Sequence, residues 1–316
     1  MSTPSPEPDI AALTVGGQAV LEGVMMRAPN AWAVAVRRPD GVIESIRHHL
    51  PRLTSRSAWA KVPFVRGMLV LAESLTIGFK ALSWSAQKSV GEEEEEMTKG
   101  QIAGSMTVAI AFFIGLFVIV PTVAARFLTQ DRSFLYAAVE GVIQLGIFLG
   151  YLWLLGRSEE IRRVFAYHGA EHMSIHAYEA GDPLSIDRVK RYRPEHPRCG
   201  TSFLLIVMIL AIVIFGLLGR LPWPLLILSR LVGIPLIAGL SYEILKASGK
   251  HQETRWGRFL AAPGLWLQRL TTRVPEEDQI EVAVASLLSS LEADQVEEIL
   301  RRGPVPEASL AARAAS

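Results

Sequence analysis

Cysteine is nearly missing from this sequence: Cys199 stands alone among 316 residues. No intrachain disulfide can form, which excludes a small disulfide-stapled secreted fold and fits a reducing compartment. Charge is also scarce, at 20% of residues against about a quarter in ordinary soluble domains. An excess of one sign is absent too, because the formal net charge is +1. The strongly basic footprint of a nucleic-acid binder is therefore missing, and no nucleic-acid partner is expected. Residues 1–10 are polar and Pro-rich and lack the basic and apolar regions of a secretory signal. No cleavage is expected, so the first membrane helix itself directs insertion. No internal repeat is found.

What the sequence does have is apolar residues, 50% of the chain with a mean hydropathy of +0.29. They are concentrated in two blocks flanking a charged, histidine-rich stretch. A helix needs about 20 apolar residues to cross the hydrocarbon core. Residues 102–128, 134–155, 202–218 and 222–245 qualify. The connections around Asp131 and over 219–224 are too short to hold a domain. Lys and Arg mark the cytoplasmic side. Arg157, Arg162, Arg163, Arg188, Lys190, Arg191, Arg193 and Arg198 lie between the second and third spans. Lys246, Lys250, Arg255 and Arg258 follow the fourth, and the two short turns hold few such residues. Both termini and the histidine-rich segment are thus expected in the cytoplasm.

The expected fold class is a mainly α, polytopic membrane protein, four transmembrane helices with a cytoplasmic α+β portion. Its expected parts are a disordered tail over 1–14, a cytoplasmic N-terminal region over 15–101, and a four-helix membrane domain over 102–245. A histidine-rich insertion occupies 156–201, followed by a cytoplasmic region over 246–302 and a disordered tail over 303–316. Within 15–46, an apolar alternation in 31–36 precedes an Arg-Pro-Asp-Gly turn, which predicts a strand hairpin. Residues 62–84 are apolar, but Arg66, Glu73 and Lys80 recur at sevens, so an interfacial helix is favoured over a fifth crossing. The glutamate run at 92–96 is a solvated charge run. Residues 276–301 carry apolar positions at helical spacing and predict one soluble terminal helix.

Chemistry concentrates in 158–181. Ser158 is placed to cap a helix that Gly181 ends. His168 and His172 lie four apart and share a face, with Glu171 beside them and His176 and Glu179 near the same stripe. His168-Gly169-Ala170-Glu171-His172 matches the H-x-x-E-H pattern, in which two histidines bind zinc and the Glu acts as general base. The bland alternative is a polar helix with incidental histidines. His196-Pro197-Arg198-Cys199-Gly200 is a second ligand source, since imidazole and thiolate both suit zinc. Cys199 there equally suits a small buried residue. His48, His49 and His251 are expected at the surface. Within the spans, Glu140, Arg230 and Glu243 stand out. An ion pair between Glu140 and Arg230 is favoured over a proton or substrate path, and Glu243 lies near the cytoplasmic end.

Three blocks carry a family resemblance: Gly16-Gly17-Gln18-Ala19-Val20-Leu21-Glu22-Gly23-Val24-Met25-Met26-Arg27, the 168–179 stretch, and His196 to Phe203. Together with Pro263-Gly264-Leu265-Trp266-Leu267-Gln268 they resemble the bacterial YqhQ family, over roughly residues 15–285. That family consists of membrane proteins with a domain of unknown function, often described as metal-dependent enzymes. The resemblance carries over to Glu22, Arg27, His168, Glu171, His172, Glu179, His196 and Cys199. It implies that His176 is not a fixed position and makes Glu22, Glu179 or His196 the better candidate for the third metal ligand, with Cys199 ranked behind His196.

These features lead to an expected metal-dependent hydrolase of the bacterial cytoplasmic membrane, with a divalent ion, zinc foremost, on His168 and His172. Glu171 would activate water, and Arg27 or Arg198 would stabilise developing negative charge. A site at the cytoplasmic membrane face favours a lipid-linked or membrane-inserted substrate. A non-catalytic scaffold or regulator with the same ion is the alternative. A transporter, third, requires Glu140, Arg230 and Glu243 on one path.

Overall fold

A computed structural model describes residues 15–50, 62, 65–89, 99–129, 134–219, 221–251 and 254–315. The expected tail over 1–14, the glutamate run over 92–96 and the turn at Asp131 lie outside these residues.

The N-terminal region holds four strands, β1 (Gly16–Val20), β2 (Gly23–Arg27), β3 (Ala31–Arg37) and β4 (Ile43–His49), paired antiparallel in sequence order. The hairpin foreseen around the Arg-Pro-Asp-Gly turn is β3–β4, in which Arg37 faces Ile43. It is half of a larger sheet. The period-2 alternation gives the sheet two apolar faces. Val24, Met26 and Ala35 point one way. Met25, Trp32, Val34 and Val36 point the other way, onto Ile77 and Ala81 of helix α1 (Val65–Ser89).

The remaining helices are α2 (Lys99–Ile114), α3 (Val120–Leu128), α4 (Phe134–Leu155), α5 (Glu159–Glu179), α6 (Ile186–Val189), α7 (Gly200–Leu218), α8 (Trp223–Lys250), α9 (Arg255–Thr271), α10 (Glu277–Ser290), α11 (Ala293–Arg302) and α12 (Glu307–Ala314). The sheet is sandwiched between α1 and α10, with α5 beside α10. Small residues on α10 allow close approach: Ser286 donates to the Ala33 carbonyl at 3.2 Å, and Ser289 lies 3.0 Å from Ser45.

Two expectations for the C-terminus need correction. Residues 276–301 form two helices, because Leu291 and Glu292 turn extended and Glu292 begins a new capping box with Gln295. Residues 303–316, expected as a disordered tail, instead contain α12, which buries Ser309 and Ala312 against the core. Ser309 donates to the Glu281 carbonyl at 2.7 Å.

Among the described residues, four helical segments are long and apolar enough to cross a membrane: Gly104–Leu128, Leu135–Leu155, Gly200–Leu218 and Pro224–Ser248. No more than 22% of any of these segments' most apolar windows is buried. That leaves far more uncovered apolar surface than water tolerates on a monomer. The first segment bends through a π-helical turn, Gly115–Ile119. Pro121 cannot donate to the carbonyl four residues back, and Gln144 of α4 supplies a bond to that Phe117 oxygen at 3.0 Å.

Glu140 and Arg230 meet as expected, at 3.2 Å. Thr122 donates to Glu140 at 2.7 Å, and the Arg230 guanidinium stacks 3.8 Å from the Phe215 ring centroid. This partnered cluster ties α3, α4, α7 and α8 together. Glu243 is bound separately by Arg66 of α1 at 2.6 Å. It lies 13 residues beyond Arg230, roughly 20 Å along the helix. Each carboxylate is thus held by its own arginine, which weighs against one continuous polar path.

Helix α1 is not among the membrane-length segments. Its exposed Met68, Leu75, Phe79 and Leu82 form a stripe suited to a bilayer surface.

Candidate metal centre

Helix α5 ends where Gly181 adopts a φ of +73° and Asp182 donates to the Ala177 carbonyl, a Schellman closure. At its start Ser158 occupies the N-cap position, but its side chain makes no capping bond. The helix presents His168 and His172 on one face, with ring centroids 4.4 Å apart. Cys199 caps the N-terminus of α7, and its sulfur accepts the Thr201 N–H at 3.4 Å. One ligand atom from each of His168, His172 and Cys199 lies within 4.8 Å of the others. His168 Nε2 is 3.2 Å from Cys199 Sγ.

The outer nitrogens fix the tautomers. His168 Nδ1 sits 2.9 Å from the Thr271 carbonyl, and His172 Nδ1 sits 2.6 Å from the Pro194 carbonyl. A carbonyl can only accept, so both Nδ1 atoms carry the proton and both Nε2 lone pairs turn inward toward the sulfur. Backbone carbonyls holding Nδ1 are the usual support of metal-bound histidines. Two imidazoles and a thiol with these spacings fit zinc, whose bonds are about 2.0–2.3 Å.

Glu171 is 4% exposed, and its Oε2 has no hydrogen-bond partner among the described residues. Burial pushes its carboxyl up to about 8, against smaller opposing effects from His168 and the Gly17 backbone. Gly17 makes this approach possible, because a Cβ there would lie 2.3 Å from the Met25 carbonyl and 3.1 Å from Glu171 Oε1. A cavity of about 220 Å³ opens beside the centre, lined among others by Gly17, Arg27, Glu171, His172, Arg198 and Cys199. Burial lowers the His172 pKa. Burial pushes the Cys199 thiol up, but the neighbouring His172 ring and the bonds with Thr201 outweigh it and leave the thiol below its ordinary value.

The other expected site residues divide. Arg27 and Arg198 both reach the cavity wall, each beside a carboxylate: Glu73 of α1 for Arg27, Glu179 for Arg198. Glu179 and His196, weighed as third ligands, pair with each other instead. His196 Nδ1 accepts the Arg198 backbone N–H at 3.2 Å, which leaves Nε2–H directed at Glu179, 3.5 Å away. Both nitrogens are occupied, and burial lowers the ring's pKa to about 4, so it is neutral. Glu22 is likewise not brought to the centre. It sits in the β1–β2 turn at φ 49°, gripped by Arg163 through two bonds of 2.6 Å.

Cys199 is therefore the residue that completes the trio. Gln268 carried no role in the sequence, yet it is fully buried and clasps the His196 backbone, accepting its N–H at 2.7 Å and donating to its carbonyl at 2.9 Å. This clasp holds the 194–199 segment that supplies both Cys199 and the Pro194 carbonyl. A polar residue inside the apolar Pro263–Gln268 block was the available signal. His48, His49 and His251 are exposed, as expected.

Comparison with known proteins adds a family without a mechanism. Residues 62–293 match the profile of a family described as protein of unknown function (DUF1385). The chain is 33% identical over 303 residues to the uncharacterized protein YqhQ of Bacillus subtilis (strain 168), covering 90% of this chain and 94% of that protein. No solved structure matches significantly. The matched family profile spans most of the chain, and the relative spans nearly all of it: this protein belongs to the DUF1385 family, to which it is joined by its likeness to YqhQ.

Proposed function

We propose that this protein is a zinc-dependent hydrolase working at the cytoplasmic face of a bacterial inner membrane on a lipid-linked or membrane-inserted substrate. The observation that carries this reading is the pairing of three inward-facing ligand atoms with a buried carboxylate oxygen that has no partner among the described residues. His168, His172 and Cys199 would hold the ion. Zinc held there would supply Lewis acidity to the bond under attack. Glu171, whose Oε2 is unpartnered among the described residues, would accept a proton from water. The same proton then passes to the leaving group. Arg27 and Arg198, on the cavity wall, orient or neutralise an anionic part of the substrate.

The test is Glu171→Gln in a strain lacking the chromosomal copy. The variant keeps the ligand trio, so the purified protein retains its metal. The strain's membrane extract accumulates the same unprocessed compound as the deletion strain, and the wild-type gene removes it. A Glu171→Gln strain with a wild-type membrane profile would make the centre structural and the protein a scaffold.

The orientation rests on the distribution of Lys and Arg around the spans. Reporter tags at either terminus or within 181–193 should read as cytoplasmic, and tags at Asp131 or Arg220 as external. An external signal from the histidine segment would place the site in the other compartment.

A further inference from the structure

A second cavity of about 620 Å³ lies outside the metal centre, between α9 and the 191–197 segment. Leu265 and Trp266 of α9 line its apolar side, and Arg191, Arg193 and Arg269 line it with positive charge. Glu195 is the one acid among the lining residues, 4.0 Å from Arg269.

Helix α9 has three sectors. Gly257, Ala261, Gly264, Leu267, Gln268 and Thr271 are buried, and the helix packs on α7 and α8, two of the membrane-length helices. Trp256, Phe259, Leu260 and Trp266 are exposed, at 75%, 69%, 42% and 53%. Arg255, Arg258 and Arg269 flank this aromatic sector. Exposed aromatics beside basic residues, on a helix leaning against membrane spans, are the features of a helix lying in the headgroup layer. Trp266 belongs to both the exposed sector and the cavity wall, so the cavity is continuous with the surface that would meet lipid.

We propose that this cavity binds an anionic phospholipid, its phosphate among Arg191, Arg193 and Arg269 and the start of its chains along Leu265 and Trp266. The charge excess of three arginines over one glutamate selects an anion, and the apolar wall selects one carrying hydrocarbon. His176 lines the same cavity, its ring 4.4 Å from that of His196, which is 5.7 Å from that of His172. The bound headgroup therefore sits about two imidazoles from the metal-ligand trio. The proposal rests on the spans being embedded in a bilayer and is independent of the metal.

Native mass spectrometry of the detergent-purified full chain tests it, with dioleoyl phosphatidylglycerol and dioleoyl phosphatidylcholine as probes. Phosphatidylglycerol should be retained preferentially, and each arginine replaced by glutamine should weaken it about fivefold. The singles Arg191→Gln and Arg193→Gln serve where the triple variant does not fold. Cys199→Ser, which disables the proposed metal centre while keeping the His172–Pro194 contact, should leave phosphatidylglycerol retention unchanged. Equal retention of the two lipids, or unchanged retention in the arginine variants, would overturn the assignment. Displacement of the lipid by millimolar inorganic phosphate would also overturn it, in favour of a soluble anion.

Discussion

Cys199→Ser should strip the protein of its metal while leaving it folded. Wild-type protein purified without chelator is expected to carry close to one zinc per chain, and dialysed Cys199→Ser to carry almost none. Replacing groups that merely support a ligand typically costs 10–100-fold in affinity. Loss of the ligand itself should cost about 100-fold or more, because a serine hydroxyl is a far poorer donor to zinc than a thiolate. The fold should survive, since serine is nearly the size of cysteine and still accepts the Thr201 N–H as a helix cap. His172→Ala should have the same effect on metal. His196→Asn should retain the ion, because both His196 nitrogens already face other partners. Elemental analysis and competition against a chromophoric chelator measure all three. Retention of zinc by Cys199→Ser and its loss from His196→Asn would exchange the two ligand assignments.

The contrast between Cys199 and His196 marks how far a sequence alone carries. The spans were legible because each is one apolar run whose meaning is local. The pairing of His168 with His172 was legible for the same reason, since i and i+4 share a helix face whatever surrounds them. The third member of the cluster, Cys199, lies 31 residues from His168, and its approach depends on the 194–199 segment that Gln268 holds from another helix. The sequence favoured His196 over Cys199, because a lone cysteine before an apolar helix equally suits a small buried residue. Glu22 misled differently. It belongs to a block shared with the family resemblance, yet it is held in the turn by Arg163 and Tyr167.

At the C-terminus the apolar period of 276–301 continues across the break at Leu291, and it hid two local signals that were present, the Glu276–Gln279 and Glu292–Gln295 capping boxes. Helix α12 escaped because its buried residues are Ser309 and Ala312, and the half-buried Ala308 and Leu310 beside them are too few to make an apolar stripe. Nothing local announces such packing.

Gly169→Ala should destabilise both the fold and the metal centre, although alanine normally improves a helix interior by about 1 kcal/mol over glycine. A Cβ at position 169 would lie 2.0 Å from the Arg273 carbonyl oxygen and 3.3 Å from Pro194 Cβ. The strand of chain leaving α9 crosses directly over the helix there, pinned by the Arg273 N–H to the Phe165 carbonyl at 2.9 Å. To admit the methyl group, that crossing must lift. Overpacking of this kind costs about 1–3 kcal/mol, and loss of the pinning bond adds roughly 0.5–1.5 kcal/mol, so the penalty exceeds the propensity gain. The same movement disturbs the two carbonyls, Thr271 and Pro194, that orient the zinc-facing nitrogens. Zinc affinity should fall about 10–100-fold, as it does when supporting groups of a metal site are displaced. Gly146→Ala is the control, because nothing lies within 4 Å of the added Cβ, and it should be neutral or slightly stabilising. Thermal denaturation in detergent and chelator competition read the two effects. A Gly169→Ala protein with wild-type melting and wild-type zinc affinity would mean that the 271–273 crossing is free to move and does not hold His168 in place.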